Sequence, residues 1–140
     1  MSNSRIAEIS KLVTSSYHTA DPFILAEKLN IDVRWCTLGK SPLGKTMYDG
    51  KEPIILLNDR IYESPLRYFT MAHELGHVIM QEGLIGYYTL NNYTHSSLEN
   101  EANEFAVALL GQLYVEENQR LPENYMDLVN SYGLPFRNQN

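Results

Sequence analysis

The sequence predicts an α+β fold, with helices near both ends of the chain and a small mixed sheet between them. Three observations support it. Apolar residues recur at helical spacing in the first and last thirds of the chain. Between about residues 31 and 57 they alternate or form a short run, as in strands. The length of 140 residues fits a single domain, 1–140, with its core at about 21–114.

The first elements are predicted to be two helices and three strands. A helix is expected at about 4–17, and Asp21-Pro22 begins the next, with Asp as the N-cap and Pro at the first helical position. "IDVRW" alternates like a strand. "SPLGKTMYDGKEP" indicates a hairpin with Asp49-Gly50 at its tip. "IILL" is the last strand of the sheet.

Three helices are predicted in the second half. Ser64-Pro65 begins a long apolar helix, and a further helix is expected from about Ser97 to Tyr114. The loop between them contains Tyr87, Tyr88 and Tyr93. A short helix at about 123–132 ends at a glycine, the residue that most often ends a helix.

Composition excludes several classes of function. The net charge is −6 and no run of Lys or Arg exceeds two residues, which argues against direct nucleic-acid binding. No apolar run is long enough to span a membrane, and the first ten residues lack the apolar core of a signal peptide. Cys36 is the only cysteine and cannot form an internal disulfide. A reduced, cytoplasmic protein is therefore expected.

The stretch "FTMAHELGHVIM" contains the H-E-x-x-H pattern. His73 and His77 lie four residues apart, so on a helix they share one face and can bind one tetrahedral cation. Glu74 lies beside them, where a carboxylate can take a proton from a water polarised by that cation. Unpartnered histidines and a glutamate would be costly in so apolar a helix, and a metal removes that cost. The pattern therefore predicts a zinc site, with Mn²⁺ as an alternative ion.

A third ligand is expected downstream, where five residues qualify: Glu82, His95, Glu99, Glu101 and Glu104. Glu99 is favoured because it falls within an apolar stripe of the following helix, whereas Glu101 borders that stripe and Glu104 lies opposite. A capping box formed by Ser96 and Glu99 is the alternative interpretation. Asn103, one turn beyond Glu99, is expected to orient a ligand by a hydrogen bond. His95 is assigned to the rim of the cleft.

Taken together, "RYFTMAHELGH" and "ENEANEFAVALL" resemble the ImmA/IrrE family of zincin-like metallopeptidases, and "DPFILAEKLNIDV" and "IILLN" are similar too. The resemblance covers about residues 21–110. It implies a zinc site formed by His73, His77 and Glu99, with Glu74 as general base. It also implies a cytoplasmic regulatory protease whose substrate is a separate helix-turn-helix repressor of a phage or mobile element.

Substrate contacts are expected from two regions. The strand formed by Ile54, Ile55, Leu56 and Leu57 has two interpretations: a strand of the core sheet, or an edge strand that pairs with an extended substrate. Tyr87, Tyr88 and Tyr93 are candidates to line the cleft or to polarise the scissile carbonyl. The alternative to an endopeptidase is a regulator or toxin component that binds its partner on the same fold without cutting it. The intact Glu74 favours the enzyme, because a binding protein needs no base.

Overall fold

A three-stranded sheet and five α-helices make up the computed structural model of the protein, which describes residues 2–81 and 95–136. The predicted α+β class is confirmed. The elements follow in the order α1 (Ser2–Tyr17), α2 (Pro22–Lys28), β1 (Asp32–Cys36), β2 (Gly44–Asp49), β3 (Glu52–Asn58), a 3-10 turn (Asp59–Ile61), α3 (Leu66–Gln81), α4 (His95–Asn118) and α5 (Tyr125–Tyr132).

Local signals in the sequence set several of these boundaries. The Asp21 carboxylate accepts a hydrogen bond from the backbone N–H of Phe23 at 2.9 Å, and Pro22 is the first helical residue of α2. β2 and β3 form the predicted hairpin, in which Asp49 pairs with Glu52 and Gly50 adopts a φ of +64°. Both predictions are confirmed.

The sheet has the strand order β1-β3-β2, with β1 parallel and β2 antiparallel to β3. The prediction that Ile54, Ile55, Leu56 and Leu57 form an edge strand is therefore wrong, because β3 is the central strand. Ile55 and Leu57 are completely buried. Pro53 favours an edge strand, but a short run of apolar residues is typical of a strand covered on both faces, and β3 follows the second pattern. Most residues of β2 are exposed, as in an edge strand.

The core lies where α3 packs between the sheet and α4. Phe105 and Ala102 of α4 approach Gly76 of α3 so closely that a Cβ on Gly76 would lie 3.1 Å from the Phe105 ring and 3.4 Å from Ala102 Cα. The glycine thus allows the two helices to cross in close contact. Four further apolar residues of α4 are also buried: Ala106, Leu109, Leu110 and Leu113.

The C-terminal segment, Gly133 to Pro135, returns to the beginning of α3. Gly133 ends α5 with a φ of +72° and donates its N–H to Val129 O at 2.9 Å, as the sequence predicted. Leu134 is 2% exposed, and the Tyr125 hydroxyl donates to Pro135 O at 2.7 Å. In residues 2–81 and 95–136, no helix combines the length and apolar character needed to cross a membrane.

Candidate metal centre

Two neighbouring helices bring three potential metal ligands together. His73 and His77 lie one turn apart on α3, and each side chain is 15% exposed. Glu99 reaches them from the first turns of α4, with Oε1 2.9 Å from His73 Nε2 and Oε2 2.9 Å from His77 Nε2. The ligand atoms of the three residues all lie within 4.8 Å of one another. Two imidazoles and one carboxylate so arranged form a possible metal site.

The chemistry of this group suits a divalent cation. Asn103 Oδ1 lies 2.7 Å from His73 Nδ1 and accepts its N–H, so a neutral imidazole would carry its lone pair on Nε2. That lone pair faces a carboxylate oxygen of Glu99, which is also an acceptor. A cation between the two acceptors would satisfy both. Two imidazoles with a carboxylate also match the ligands that zinc takes in catalytic sites, where a fourth position is left open.

Glu74 lies beside the ligands but faces the sheet. The residue is 9% exposed, and Thr46 of β2 donates a hydrogen bond from Oγ1 to Glu74 Oε1 at 2.7 Å. Gly44 allows this approach, because a Cβ there would lie 2.6 Å from Thr70 Cγ2 and 3.2 Å from Glu74 Cγ. The edge strand is therefore held directly against the helix that carries the carboxylate, and it fixes that carboxylate's orientation.

A cleft of about 520 Å³ opens over the group. Its polar end is formed by His73, Glu74, Glu99 and Asn103. It then continues along α3 towards the beginning of the helix, between the start of β2 and the C-terminal segment. The residues that line this second part are Leu43, Gly44, Leu66, Phe69, Thr70, Gly133 and Pro135.

The structure corrects the reasoning that separated the glutamates of α4. Glu99 was expected to point into the core, but its side chain is 39% exposed at the margin of the cleft. Glu101 was expected at the edge of the stripe, yet it is only 8% exposed and accepts from Arg5 of α1 at 2.7 Å. The cause is α1, which packs on the flank of α4 and covers Glu101. The candidate ligand is therefore identified by its proximity to the two histidines and not by how deeply it is buried.

The other residues proposed from the sequence do not line the cleft or cannot be placed relative to it. Ile54, Ile55, Leu56 and Leu57 are not among the residues that line it. Tyr87, Tyr88 and Tyr93 lie outside the described residues. His95, which was expected in a loop, is the first residue of α4.

Several lining residues were not identified from the sequence. Pro135 belongs to no motif, because its position depends on how α5 docks. Phe69 lies in the stretch that contains the H-E-x-x-H pattern, but only as one of its apolar residues. Thr46 does not line the cleft but bonds Glu74, and its position depends on the strand register. The hairpin register alone puts Thr46 opposite Ile55, but it does not show that Thr46 contacts Glu74.

A small mixed sheet packed on two helices that present such a ligand group defines a zincin-like domain. Residues 26–112 match the family model of the M78 peptidases, described as the IrrE N-terminal-like domain, and the chain belongs to this family. The resemblance read from the sequence is confirmed. Over 113 residues the chain is 31% identical to the uncharacterized immunity region protein 2 of Bacillus phage phi105. The alignment covers 74% of this chain and 66% of that protein, so the chain spans just under two thirds of its relative.

Proposed function

We propose that the protein is a zinc-dependent endopeptidase that hydrolyses a peptide bond in a helix-turn-helix repressor. The observation that carries the proposal is the convergence of His73, His77 and Glu99 beside the buried carboxylate of Glu74, in a cleft open to solvent. Membership of a peptidase family supports the same chemistry. The ligand set also permits Mn²⁺, although two imidazoles favour zinc over magnesium or calcium.

In this proposal the three ligands hold the ion and Asn103 keeps the His73 ring in the orientation that ligation needs. When bound, the ion supplies Lewis-acid chemistry, which acidifies a water and polarises the scissile carbonyl. Glu74 accepts the proton of the attacking water and transfers it to the leaving amine nitrogen. Thr46 donates to Oε1 of the same carboxylate, so its plane is fixed before substrate arrives.

The edge strand β2 is the part of the sheet that best suits an extended substrate. Among the described residues it pairs only with β3 and so forms an edge of the sheet. A peptide added there would form main-chain hydrogen bonds with residues Gly44–Asp49 and would run past Glu74. This role replaces the one that the sequence suggested for Ile54–Leu57.

The choice of a repressor as substrate draws on two observations. The phage relative is, by its name, an immunity region protein, which fits the helix-turn-helix repressor that the family resemblance implies as substrate. The net charge of −6 would favour association with a basic DNA-binding protein through electrostatic steering. Such a substrate would be met in the cytoplasm. We propose that residues 1–140 act there as a single domain that contacts neither DNA nor membrane.

Replacing Glu74 by Gln tests the proposal. The parent and the E74Q variant, each loaded with zinc, are incubated with the repressor encoded beside the gene, and the products are identified by mass spectrometry. Gln is nearly isosteric but cannot take the proton, so we expect cleavage to be lost while zinc content and circular dichroism stay unchanged. Glu8→Gln is the matched control, because it makes the same change at an exposed position of α1.

The same variant separates the enzyme from a binding protein. If E74Q relieved repression as well as the parent, with the repressor intact in both reactions, the protein would act by binding alone. If the parent failed to retain zinc after reconstitution, the metal site itself would be refuted.

A further inference from the structure

The cleft extends well beyond the ligands, and its far end differs in chemistry from the centre. The charged side chains stand at one end, where His73, Glu74 and Glu99 meet beside Asn103. The other end is lined mainly by the apolar side chains of Leu43, Leu66, Phe69 and Pro135, together with Thr70, while Gly44 and Gly133 add only backbone. Among the described residues that line this end, none carries a charge.

One wall of this apolar end comes from the C-terminal segment, which is fixed at three consecutive residues. A Cβ on Gly133 would clash with Leu66 Cα and lie 2.7 Å from the Leu66 nitrogen, so the segment is in backbone contact with α3. Leu134 is buried, and Pro135 O accepts from the Tyr125 hydroxyl. These contacts hold the Pro135 ring in one place at the rim of the cleft.

The apolar end begins within one side chain of the reaction centre. The ring centroids of Phe69 and His73 are 6.0 Å apart. In an extended peptide that lies across Glu74, the side chain next to the scissile bond is the one that reaches this distance. A charged side chain would lose its hydration against Phe69 and Leu66 without gaining a partner, whereas an aliphatic side chain would bury its surface.

We propose that Leu43, Leu66, Phe69 and Pro135 form a specificity subsite, and that the enzyme selects an aliphatic side chain at one of the two residues flanking the scissile bond. This inference rests on the proposed peptidase function. It assigns to the C-terminal segment a role in substrate selection, separate from the chemistry on α3 and α4. The segment acts as a rigid wall, because its three contacts leave it little freedom.

Two measurements test the subsite. In the first, the zinc-loaded full chain cleaves synthetic peptide pools that are randomised on both sides of the central bonds, and the product ends are counted by mass spectrometry. In the second, labelled peptides that carry Leu or Asp at the selected position are titrated with the E74Q variant by fluorescence anisotropy. We expect a preference for Leu over Asp of about tenfold or more in both assays, since the subsite is partly open.

Pro135→Asp places a carboxylate in the wall, and Phe136→Asp is its matched control. Phe136 is the next residue, is 72% exposed and does not line the cleft. We expect P135D to reduce the preference for Leu and to favour Lys, whereas F136D behaves as the parent. Phe69→Ala provides a second variant: the enlarged subsite should shift selection towards bulkier apolar residues. Thermal melts accompany each variant to establish that it is folded.

The outcomes distinguish the subsite from the peptidase. Cleavage without apolar selection, or equal effects of P135D and F136D, would overturn the subsite and leave the peptidase standing. Selective binding of Leu peptides without any cleavage by the parent would support the subsite and refute the peptidase. Neither cleavage nor selective binding would refute both.

Discussion

Replacing Gly133 by Ala probes the contact that places the C-terminal segment at the cleft. Two costs add at this position. A φ of +72° costs an Ala about 1–2 kcal/mol, of which about 0.4–1 kcal/mol is recovered through the reduced entropy of the unfolded chain. The added methyl would also overlap Leu66 Cα and lie 2.7 Å from its nitrogen. Overpacking of this kind costs about 1–3 kcal/mol, because backbone atoms cannot move aside as a flexible side chain can.

The chain contains two natural controls for this substitution. Gly39 and Gly50 have φ values of +77° and +64°, but a Cβ at either would meet nothing within 4 Å. Gly39→Ala and Gly50→Ala therefore measure the backbone strain alone, and we expect each to lower the free energy of unfolding by about 1 kcal/mol. We expect Gly133→Ala to lower it by about 2–4 kcal/mol.

Urea unfolding followed by circular dichroism measures all three variants against the parent. The difference between Gly133→Ala and the two controls isolates the contact with Leu66. Equal losses at the three glycines would mean that the segment does not touch α3, and the wall of the cleft would disappear with that contact. Leu66→Ala should not rescue Gly133→Ala, since the overlap involves backbone atoms of Leu66.

The remaining predictions concern metal affinity and pH. Glu99→Ala should lower zinc affinity in competition titrations with a chelating dye and barely change the free energy of unfolding. Glu101→Ala should keep zinc affinity but lower the free energy of unfolding by about 1–3 kcal/mol, because the bond to Arg5 is lost. The reversed pattern would mean that Glu101, not Glu99, is the ligand. Burial raises the pKa of Asp21 above 3.8, so the folded protein binds more protons than the unfolded chain just above that pH, and stability falls as pH rises through the raised value. Asp21→Asn keeps the N-cap acceptor without the charge, so the urea midpoint of the variant should exceed that of the parent at neutral pH. The difference between the two midpoints should become smaller in acid. A difference that did not change with pH would show that Asp21 does not titrate in this way.

The sequence predicted well those features that depend on neighbours along the chain. Asp21-Pro22 begins a helix, Asp49-Gly50 turns a hairpin and Gly133 ends α5, because each needs only local backbone geometry and one or two hydrogen bonds. The spacing of His73 and His77 belongs to the same class, since a single helix places both on one face.

Features that depend on which elements contact each other in the folded protein could not be predicted from the sequence. The order of the strands requires knowledge of how β1 crosses over to pair with β3, so the edge was assigned to the wrong strand. The burial of Glu101 depends on α1, almost a hundred residues away in the chain, at the Arg5 contact. Thr46 and Pro135 approach the cleft from an edge strand and a terminal segment, neither of which carries a repeating pattern that points to α3.

The crossing of α3 and α4 at Gly76 has a consequence for how the protein responds to its ion. His73 and His77 come from one helix and Glu99 from the other, so the complete ligand group exists only when the two helices have docked. An ion that binds this group but not the unfolded chain is thermodynamically linked to folding: at one hundred times its dissociation constant it would stabilise the native state by about 2.7 kcal/mol. The available zinc concentration would then set how much of the protein is folded as well as how much is loaded, and a chelator would act as a mild denaturant.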